Sequence, residues 1–171
     1  MVCGLISLVD ELFCNLVDAD GYYFTHFLQD KAKTAYGGAE LKYGYKDWFD
    51  ASLKGTFYSW KTDNENEELY LVTKPKFELN FYAEAKVFEG LKVNLGYEYV
   101  QRKEYVIEEG NSSRDFGLGN ISNLSVGASY TFLKDLSVFG RVNNLLNKQY
   151  YYEYGYPAEK LNVLAGLSLA F

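Results

Sequence analysis

Two segments of the chain are rich in carboxylates, the side chains that bind hard cations such as Ca²⁺ through oxygen. Their acidic residues are Asp63, Glu65, Glu67, Glu68, Glu108, Glu109 and Asp115. Such oxygens could also face divalent ions held between the charged groups of a membrane surface. Polar residues surround both clusters, so we interpret the segments as solvated loops and predict no metal site.

Few residues could support catalysis. His26 is the only histidine, and no nucleophile-elbow sequence accompanies it, so a Ser-His-Asp site finds no support. The Gly-Leu-Gly sequence at 117–119 lacks the strand-then-helix setting of a nucleotide-binding loop. Cys3 and Cys14 could form a disulfide in an oxidising compartment, although two unpaired apolar fillers fit better. We therefore predict no enzymatic activity and no cofactor.

Tyrosines are concentrated near the carboxyl terminus. The group consists of Tyr150, Tyr151, Tyr152, Tyr154 and Tyr156. Their rings could stack on a sugar or on an aromatic ligand. They could equally form part of an aromatic belt at a membrane surface, which is the interpretation we favour.

The composition favours β-structure over a helical bundle. The 171 residues include 17 Tyr and 12 Phe but only two Pro, and aromatic rings prefer strands and membrane interfaces. No apolar run reaches the roughly 18 residues of a transmembrane helix. The formal net charge of −6 argues against a nucleic-acid partner, because phosphate binding needs a basic patch.

Apolar and polar residues alternate over most of the chain, as they do in strands with two different faces. The pattern predicts strands at 22–30, 36–46, 49–58, 76–87, 91–99, 124–132, 136–142 and 161–171, with residues 1–20 unclear. Adding a less regular strand at about 8–17 gives about nine strands instead of eight. Asp20-Gly21 predicts a hairpin turn after that first strand. The fold class is thus all-β and antiparallel.

The last eleven residues, LNVLAGLSLAF, have one greasy face and end on an aromatic residue. Val163, Leu167, Leu169 and Phe171 lie on that face by their spacing. Terminal residues of a soluble domain usually fray in water, whereas a strand that closes a membrane barrel must pair and must face lipid. The segment therefore predicts a transmembrane β-strand.

Short and long connections alternate along the chain. Short turns at 46–48, 88–90 and 133–135 alternate with longer polar segments at 61–75, 102–121 and 146–160. Outer-membrane barrels show this asymmetry, with short periplasmic turns and long extracellular loops. Trp48 and Trp60 lie at opposite ends of one predicted strand, roughly 28 Å apart along the membrane normal, which suits two aromatic girdles.

The face opposite the greasy one is charged throughout. It carries Glu40, Lys42, Lys46, Asp50, Lys54, Lys76, Glu78, Glu84, Lys86, Lys92, Glu98 and Arg141. In a large barrel these side chains would line a wet lumen, and in a small closed barrel they would have to pair with one another. A soluble β-barrel or sandwich that binds an apolar ligand would instead point them outward into water.

One block near the carboxyl terminus is distinctive. It comprises Asn143, Asn144, Leu145, Asn147, Lys148 and Tyr150, then Gly155, Tyr156 and Pro157, then the closing strand to Phe171. With these residues the segment 136–171 resembles the carboxyl-terminal end of TonB-dependent receptors, the active transporters of the Gram-negative outer membrane. The resemblance implies a β-barrel receptor for a bulky nutrient such as a siderophore, cobalamin or a glycan.

The resemblance also implies partners. In that family the terminal aromatic strand resembles the signal read by the barrel-assembly machinery, a role that Val163, Leu167, Leu169 and Phe171 would carry here. Outer-membrane lipid would surround the greasy face. The TonB system would be engaged only through amino-terminal parts, since we recognise no plug domain, TonB box or signal peptide in the sequence.

The family barrel has 22 strands, which need about 220 residues, so we expect one barrel segment spanning residues 1–171, from a truncated or split gene. Strands are clear over 35–171. A small eight-stranded outer-membrane barrel with a structural or adhesion role stays open as an alternative. So does the soluble β-barrel.

Overall fold

The computed structural model describes residues 2–17, 24–62, 71–103, 106–109, 112–115, 117–133, 136–153 and 156–169. For residues 2–17, 24–32, 62, 106–109, 112–115 and 153 it describes the backbone alone. Within these ranges the chain is almost entirely β-structure, as the alternation predicts. No helix in the described part is long and apolar enough to cross a membrane.

Eight strands form one antiparallel sheet in which every strand pairs with its neighbours along the chain. They are β1 (Val2–Val17), β2 (Phe24–Tyr45), β3 (Phe49–Thr62), β4 (Pro75–Phe88), β5 (Leu91–Arg102), β8 (Ile121–Leu133), β9 (Leu136–Asn143) and β12 (Asn162–Leu169). Four shorter strands make two hairpins in the long connections: β6 (Val106–Glu109) with β7 (Ser112–Asp115), and β10 (Tyr151–Glu153) with β11 (Tyr156–Pro157). The topology is the predicted up-and-down meander.

Two predicted strands, 22–30 and 36–46, are a single strand, and that prediction of a break was wrong. Residues 31–35, Lys-Ala-Lys-Thr-Ala, interrupt the period-two pattern but not the ladder. Lys33 pairs with Leu8 on one side and with Lys61 on the other. Because neighbours on both sides satisfy its backbone groups, β2 continues through a segment that lacks the sequence pattern of a strand. The predicted turn at Asp20-Gly21 lies outside the described residues.

The short turns use backbone conformations that suit tight reversals. Gly90, two residues after the end of β4, has φ +84°, and its carbonyl accepts a hydrogen bond from the amide of Thr131 at 2.9 Å. Between β2 and β3 the carbonyl of Trp48 accepts from the amide of Lys86 at 2.7 Å. Each bond joins a turn to a neighbouring strand. The turns are therefore held by hydrogen bonds at the ends of the strands.

The register brings the apolar positions of successive strands into phase. One row across the sheet consists of Leu41, Leu53, Phe81, Tyr97 and Leu124. The next row towards the long connections consists of Ala39, Gly55, Leu79, Tyr99 and Ser122. Because strand side chains alternate between faces, these rows share one face and the charged residues share the other.

No ladder joins β1 to β12 among the described strands, so these two strands are the edges of the sheet. Buried hydrophobic residues are few in the same part of the chain: Val72, Val100, Leu118, Ile121 and Tyr150. A soluble sandwich would bury one face of the sheet as a core. The described part of the sheet shows no such core.

Candidate functional site

The apolar face of the sheet is exposed along its length. Leu41 is 70% exposed on β2, Phe57 is 67% exposed on β3 and Leu167 is 72% exposed on β12. A contiguous exposed apolar surface of this kind marks contact with lipid or with another protein. Val163 and Leu169 lie on the same face as Leu167 and are also exposed, while Phe171 lies outside the described residues.

Aromatic clusters border this face at both ends. At the end with short turns, Trp48 packs against Tyr45 and Phe49, with ring centroids 5.9 and 5.7 Å apart. Further along the same end, Tyr130 packs against Phe88 at 5.9 Å. Such clusters at the border of an apolar band are the girdles of membrane barrels.

The opposite end of the apolar face has its own cluster, which the sequence analysis did not identify. Phe57 and Phe77 are direct cross-strand partners with centroids 4.5 Å apart, and Tyr99 lies 6.5 Å beyond Phe77. These residues are the apolar positions closest to the long connections, so counting along the alternation could have found them. They lie about eight residues from Phe49, or roughly 26 Å along the strand.

Trp60 lies on the other face of the sheet from these clusters. It has the same parity as Lys54 and Tyr58 on β3, and its ring stacks near Tyr58 at 6.1 Å and 17°. Its indole N–H donates to the carbonyl of Pro75 at 2.7 Å. Trp48 therefore lies with the apolar face and Trp60 with the polar face, and the girdle role of the two tryptophans stays a prediction.

The polar face carries rows of charged and amide side chains. One row runs through Glu40, Lys54, Asn80, Glu98 and Asn123. These residues line a shallow cavity of about 460 Å³. Described ion pairs on this face include Lys42 with Glu40 at 3.3 Å and Lys92 with Glu84 at 3.5 Å; Lys42, Glu40 and Lys92 are exposed and Glu84 is half-buried. The charges are thus arranged as for a surface that faces water.

The asparagine block fixes the start of the connection between β9 and β12. Asn144 is 1% exposed and has φ +49°. Its Nδ2 donates to the carbonyls of Lys148 and Glu159 at 2.8 and 3.1 Å, and its Oδ1 accepts from the amide of Lys148 at 3.2 Å. One buried side chain thus joins both arms of the connection.

Neighbouring asparagines complete this turn. Asn147 also has φ +49°, a conformation that Asn tolerates better than most residues, and its Oδ1 accepts from the amide of Leu161 at 3.3 Å. Asn143 donates to Asn162 across the last ladder at 2.9 Å. Leu145 is half-exposed, and its backbone amide donates to the carbonyl of Leu124 at 2.8 Å. The motif therefore forms a turn at the end of β9 that several hydrogen bonds hold in place.

Tyr150 packs the connection between β9 and β12 against the polar face of the sheet. It is buried against Val100 and Ile121, a cross-strand pair of β5 and β8, with Ala158 packed beside them. The amide of Ala158 donates to the carbonyl of Tyr150 at 2.9 Å. Apolar residues on the polar face thus mark where the connection lies on the sheet.

Two polar contacts hold the connection next to Tyr150. The guanidinium of Arg102 donates to the carbonyls of Tyr151 and Tyr152. The phenol of Tyr152 donates to Glu98 at 3.0 Å. Partial burial together with the nearby carboxylate of Glu98 raises the pKa of Tyr152, and burial raises the pKa of Tyr150. The phenol of Tyr152 is therefore held neutral as a donor to Glu98.

The remaining residues named from the sequence do not form a site in the described chain. Tyr156 and Pro157 form strand β11 opposite β10, while Gly155 lies outside the described residues. The side chains of Cys3, Cys14 and His26 lie outside them too, as do Asp63 and its acidic neighbours. Within the described ranges, no group of three or more His, Cys, Asp or Glu side chains could hold a metal ion.

The fold and its two faces define a class: an antiparallel up-and-down sheet with one apolar and one polar face, the arrangement found in transmembrane β-barrels. Comparison with solved structures shows which known proteins share this fold. The receptor FpvA of Pseudomonas aeruginosa, bound to a heterologous pyoverdine and iron, matches with a TM-score of 0.72 and 16% identity over 98% of this chain and 24% of that one.

Two further structures agree. The pyoverdine outer-membrane receptor FpvA from Pseudomonas aeruginosa PAO1 gives a TM-score of 0.71 at 15% identity, covering 99% of this chain and 27% of that one. The copper transporter OprC gives 0.67 at 10%, covering 99% and 28%. No family model and no curated protein matches the sequence. The chain thus has the fold of a segment of these outer-membrane proteins and spans 24–28% of the length of the chains that it matches.

Proposed function

We propose that this chain is the carboxyl-terminal β-barrel part of a TonB-dependent outer-membrane receptor. The observation that carries the proposal is the register of the sheet. Its ladders keep the apolar positions of β2 to β12 in phase, so the exposed apolar surface is continuous and bordered by aromatic clusters. A bilayer is the environment that makes such a surface favourable.

The open edges support a receptor segment over a small closed barrel. Unpaired backbone groups of an edge strand cost several kcal/mol each in hydrocarbon. The described β1 and β12 do not pair with each other, so further strands must cover them in a membrane. In our proposal those strands come from the rest of a 22-stranded barrel, which also supplies the plug and the contact with the TonB system.

The intact receptor would take up a bulky nutrient. The polar face of charged and amide residues suits a wet lumen through which such a solute passes. A ferric siderophore is one member of this substrate class, alongside cobalamin and glycan fragments, and the similar receptor FpvA is described as bound to pyoverdine. In this arrangement Val163, Leu167, Leu169 and Phe171 serve as the signal for the barrel-assembly machinery.

Lipid contact can be tested with the two tryptophans, because only Trp48 lies in an aromatic cluster of the apolar face. The chain is refolded into bilayers that contain lipids with a quencher on the acyl chain near the headgroup. In the variant Trp60→Phe, emission from Trp48 should be quenched strongly. In the matched variant Trp48→Phe, emission from Trp60 should be quenched several-fold less. Equal quenching, or none in either variant, would contradict the proposed faces.

Migration on SDS gels before and after boiling tests whether the sheet of this chain closes into a barrel by itself. A chain whose two edges remain open should not show the compact, SDS-resistant species of a closed barrel. It should instead form oligomers through its edges. A monomeric species that migrates faster without boiling would favour the small eight-stranded barrel.

A further inference from the structure

The two edge strands of the sheet each have a partner on one side only. β1 pairs with β2 and β12 pairs with β9, and no described strand covers the other side of either one. Unpaired backbone amides and carbonyls are strongly disfavoured in hydrocarbon, where water cannot satisfy them. In a bilayer, this chain by itself therefore needs a further strand at each edge.

The ladders place the two edges at different heights along the sheet. Followed from strand to strand, the row of Val163 on β12 contains Tyr43 on β2, whereas Val2 on β1 lies in the row of Ala39. From these rows β12 continues towards the short turns, and β1 continues towards the long connections. The described parts of the two edge strands thus have no row in common.

An offset of this kind is what a tilted barrel requires. For eight strands about 4.8 Å apart with a rise of about 3.3 Å per residue, a tilt of about 35–45° shifts the rows by about 8–12 residues. The border aromatics show the direction of the shift, since Phe57 lies in the row of Gly37 and Tyr99, two strands further, lies in the row of Ala39. A shift of about ten residues brings β12 antiparallel to the first half of a β1 strand.

On the outer face the two edges match each other in this register. Every outer position of β12 then meets an apolar residue or glycine of β1, and a shift two residues larger would instead place Asp10 opposite Val163. The outer pairs are Val163 with Leu8, Ala165 with Ile6, Leu167 with Gly4 and Leu169 with Val2. The contact therefore continues the apolar surface of the sheet without interruption.

The inner face also carries apolar residues at both edges. Leu164 on β12 is 56% exposed, and the ring of Phe139 lies over Gly166. On β1, Leu5 and Val9 belong to the same face by their register with β2. The shift of about ten residues places Leu5 opposite Gly166, with Leu5 and Val9 on either side of Leu164. Apolar residues that water would otherwise surround are thus brought together by this pairing.

The charges of the polar face decide how many copies close the barrel. Glu40, Lys42, Lys54 and Lys86 lie on this face and are exposed. The interior of an eight-stranded barrel is filled by side chains and would take these charges out of water at a high cost. Two copies supply sixteen strands, and a barrel of that size encloses an aqueous channel in which the charges stay hydrated.

We propose that two copies of this chain close into one barrel of sixteen strands around a water-filled lumen. In each copy Asn162–Leu169 of β12 pairs with Val2–Val9 of β1 in the other copy, so the contact is head-to-tail and closes by a twofold rotation. The inference rests on the membrane faces of the proposed function and concerns this chain without the further strands of a receptor. In an intact receptor, those strands would occupy the same edges.

Cysteine cross-linking tests the register, because Ser168 would lie opposite Cys3 of the second copy. The chain is refolded in detergent with Cys14→Ser, which leaves Cys3 as the only native cysteine. Adding Ser168→Cys should then give a covalent dimer on mild oxidation. Leu164→Cys, on the same face but four residues away, is the matched control and should give at least tenfold less dimer. Equal yields at the two positions, or a disulfide within one chain, would overturn the proposal.

The mass of the unmodified chain is a second measurement, and it needs no variant to fold. Native mass spectrometry of the protein released from detergent should show two chains in each particle. One chain in each particle would mean that eight strands close alone. Larger or mixed assemblies would mean that the edges pair without closing into a ring. Either result would overturn the proposal.

Conductance across planar bilayers tests the lumen. The refolded chain should give discrete steps of ion current, and Lys54→Glu together with Lys86→Glu should shift its selectivity towards cations several-fold. Absence of steps, or unchanged selectivity in the double variant, would overturn the proposal. Lipid quenching of Trp48 reports on the outer face whatever the number of copies, so the proposed function can hold where this inference fails.

Discussion

The side-chain amide of Asn144 makes a two-way hydrogen bond with the backbone of Lys148: Nδ2 donates to the carbonyl at 2.8 Å and Oδ1 accepts from the amide at 3.2 Å. A third bond to the carbonyl of Glu159 connects the other arm of the same connection. The closing strand β12 follows this arm directly. The position of the last strand therefore depends on one buried amide at the end of β9.

Replacing Asn144 with Ala should destabilise the folded chain. The change leaves the two carbonyls and the amide of Lys148 without their side-chain partner, and because Lys148 and Glu159 are exposed to water, each lost hydrogen bond costs about 0.5–1 kcal/mol. It also places Ala at φ +49°, which adds roughly 1 kcal/mol of strain. We expect a total loss of about 2–4 kcal/mol in urea unfolding from lipid, followed by Trp fluorescence.

The variant Asn144→Gly separates the two causes, because Gly loses the hydrogen bonds but accepts the positive φ without strain. It should be more stable than the Ala variant by roughly 1 kcal/mol and still less stable than the parent. If Asn144→Gly and Asn144→Ala lost the same stability, the positive φ at position 144 would add no strain to the Ala variant. If both matched the parent, the amide would not hold the connection.

Much of the sheet could be predicted from the sequence, because the alternation of apolar and polar residues along a strand indicates which face is apolar and which is exposed to water. The pairing of Leu41 with Leu53, and of Leu53 with Phe81, follows from bringing the apolar positions into phase. The merged strand β2 could not be predicted in this way. Its segment 31–35 owes its extended form to neighbours on both sides, which the local pattern does not encode.

The role of the asparagine block was not readable from the sequence alone. The resemblance singled out Asn144 and Asn147, but their left-handed backbone and the burial of Asn144 emerge only when β8, β9 and the connection are packed together. Trp60 illustrates the opposite case. Trp60 and Lys54 are an even number of residues apart on β3, so the sequence already assigns Trp60 to the charged face. The prediction of two girdles considered only the distance between the two tryptophans and overlooked the face on which each lies.

Gly166 and Phe139 form a close cross-strand pair on the polar face. A β-carbon on Gly166 would lie 2.6 Å from Cζ of Phe139, closer than real contacts allow. The variant Gly166→Ala should therefore force the ring to move and lose roughly 1–2 kcal/mol of stability in urea unfolding from lipid. Adding Phe139→Ala should remove most of this penalty, giving a clear coupling energy in the double-mutant cycle.

Gly140 on the neighbouring strand is the matched control. A β-carbon there would meet only the carbonyl of Leu164, at 3.9 Å, which is ordinary contact. The variant Gly140→Ala should therefore be tolerated. Equal losses at positions 140 and 166 would show that the cost comes from the glycine backbone and not from the ring of Phe139.

The two faces should respond differently to a new charge. Leu53 lies in the middle row of the apolar face, so Leu53→Arg places a cation in hydrocarbon at a cost of about 2–4 kcal/mol. Asn80 lies on the polar face between Lys54 and Glu98, where Asn80→Arg should change stability by less than about 1 kcal/mol. Unfolding from lipid bilayers measures both, and similar losses would contradict the assignment of the faces.

Docking of the tyrosine-rich connection should depend on pH in the alkaline range. The phenol of Tyr152 donates to Glu98, so ionisation would place two anions together, and its pKa is accordingly raised. A group with a raised pKa in the folded state adds stability below its unfolded pKa of about 10, and that stability is lost as the pH rises further. Stability should therefore fall above about pH 10.

The variant Tyr152→Phe supplies the control, because it removes the ionising group and keeps most of the ring. Its stability should be lower than that of the parent at pH 8 and should fall less steeply above about pH 10. In ultraviolet titration of the parent, the late-ionising fraction of tyrosinate should exceed that of the variant. Identical titrations and identical alkaline slopes would mean that Tyr152 ionises like an exposed phenol, and that Glu98 does not hold the connection on the polar face.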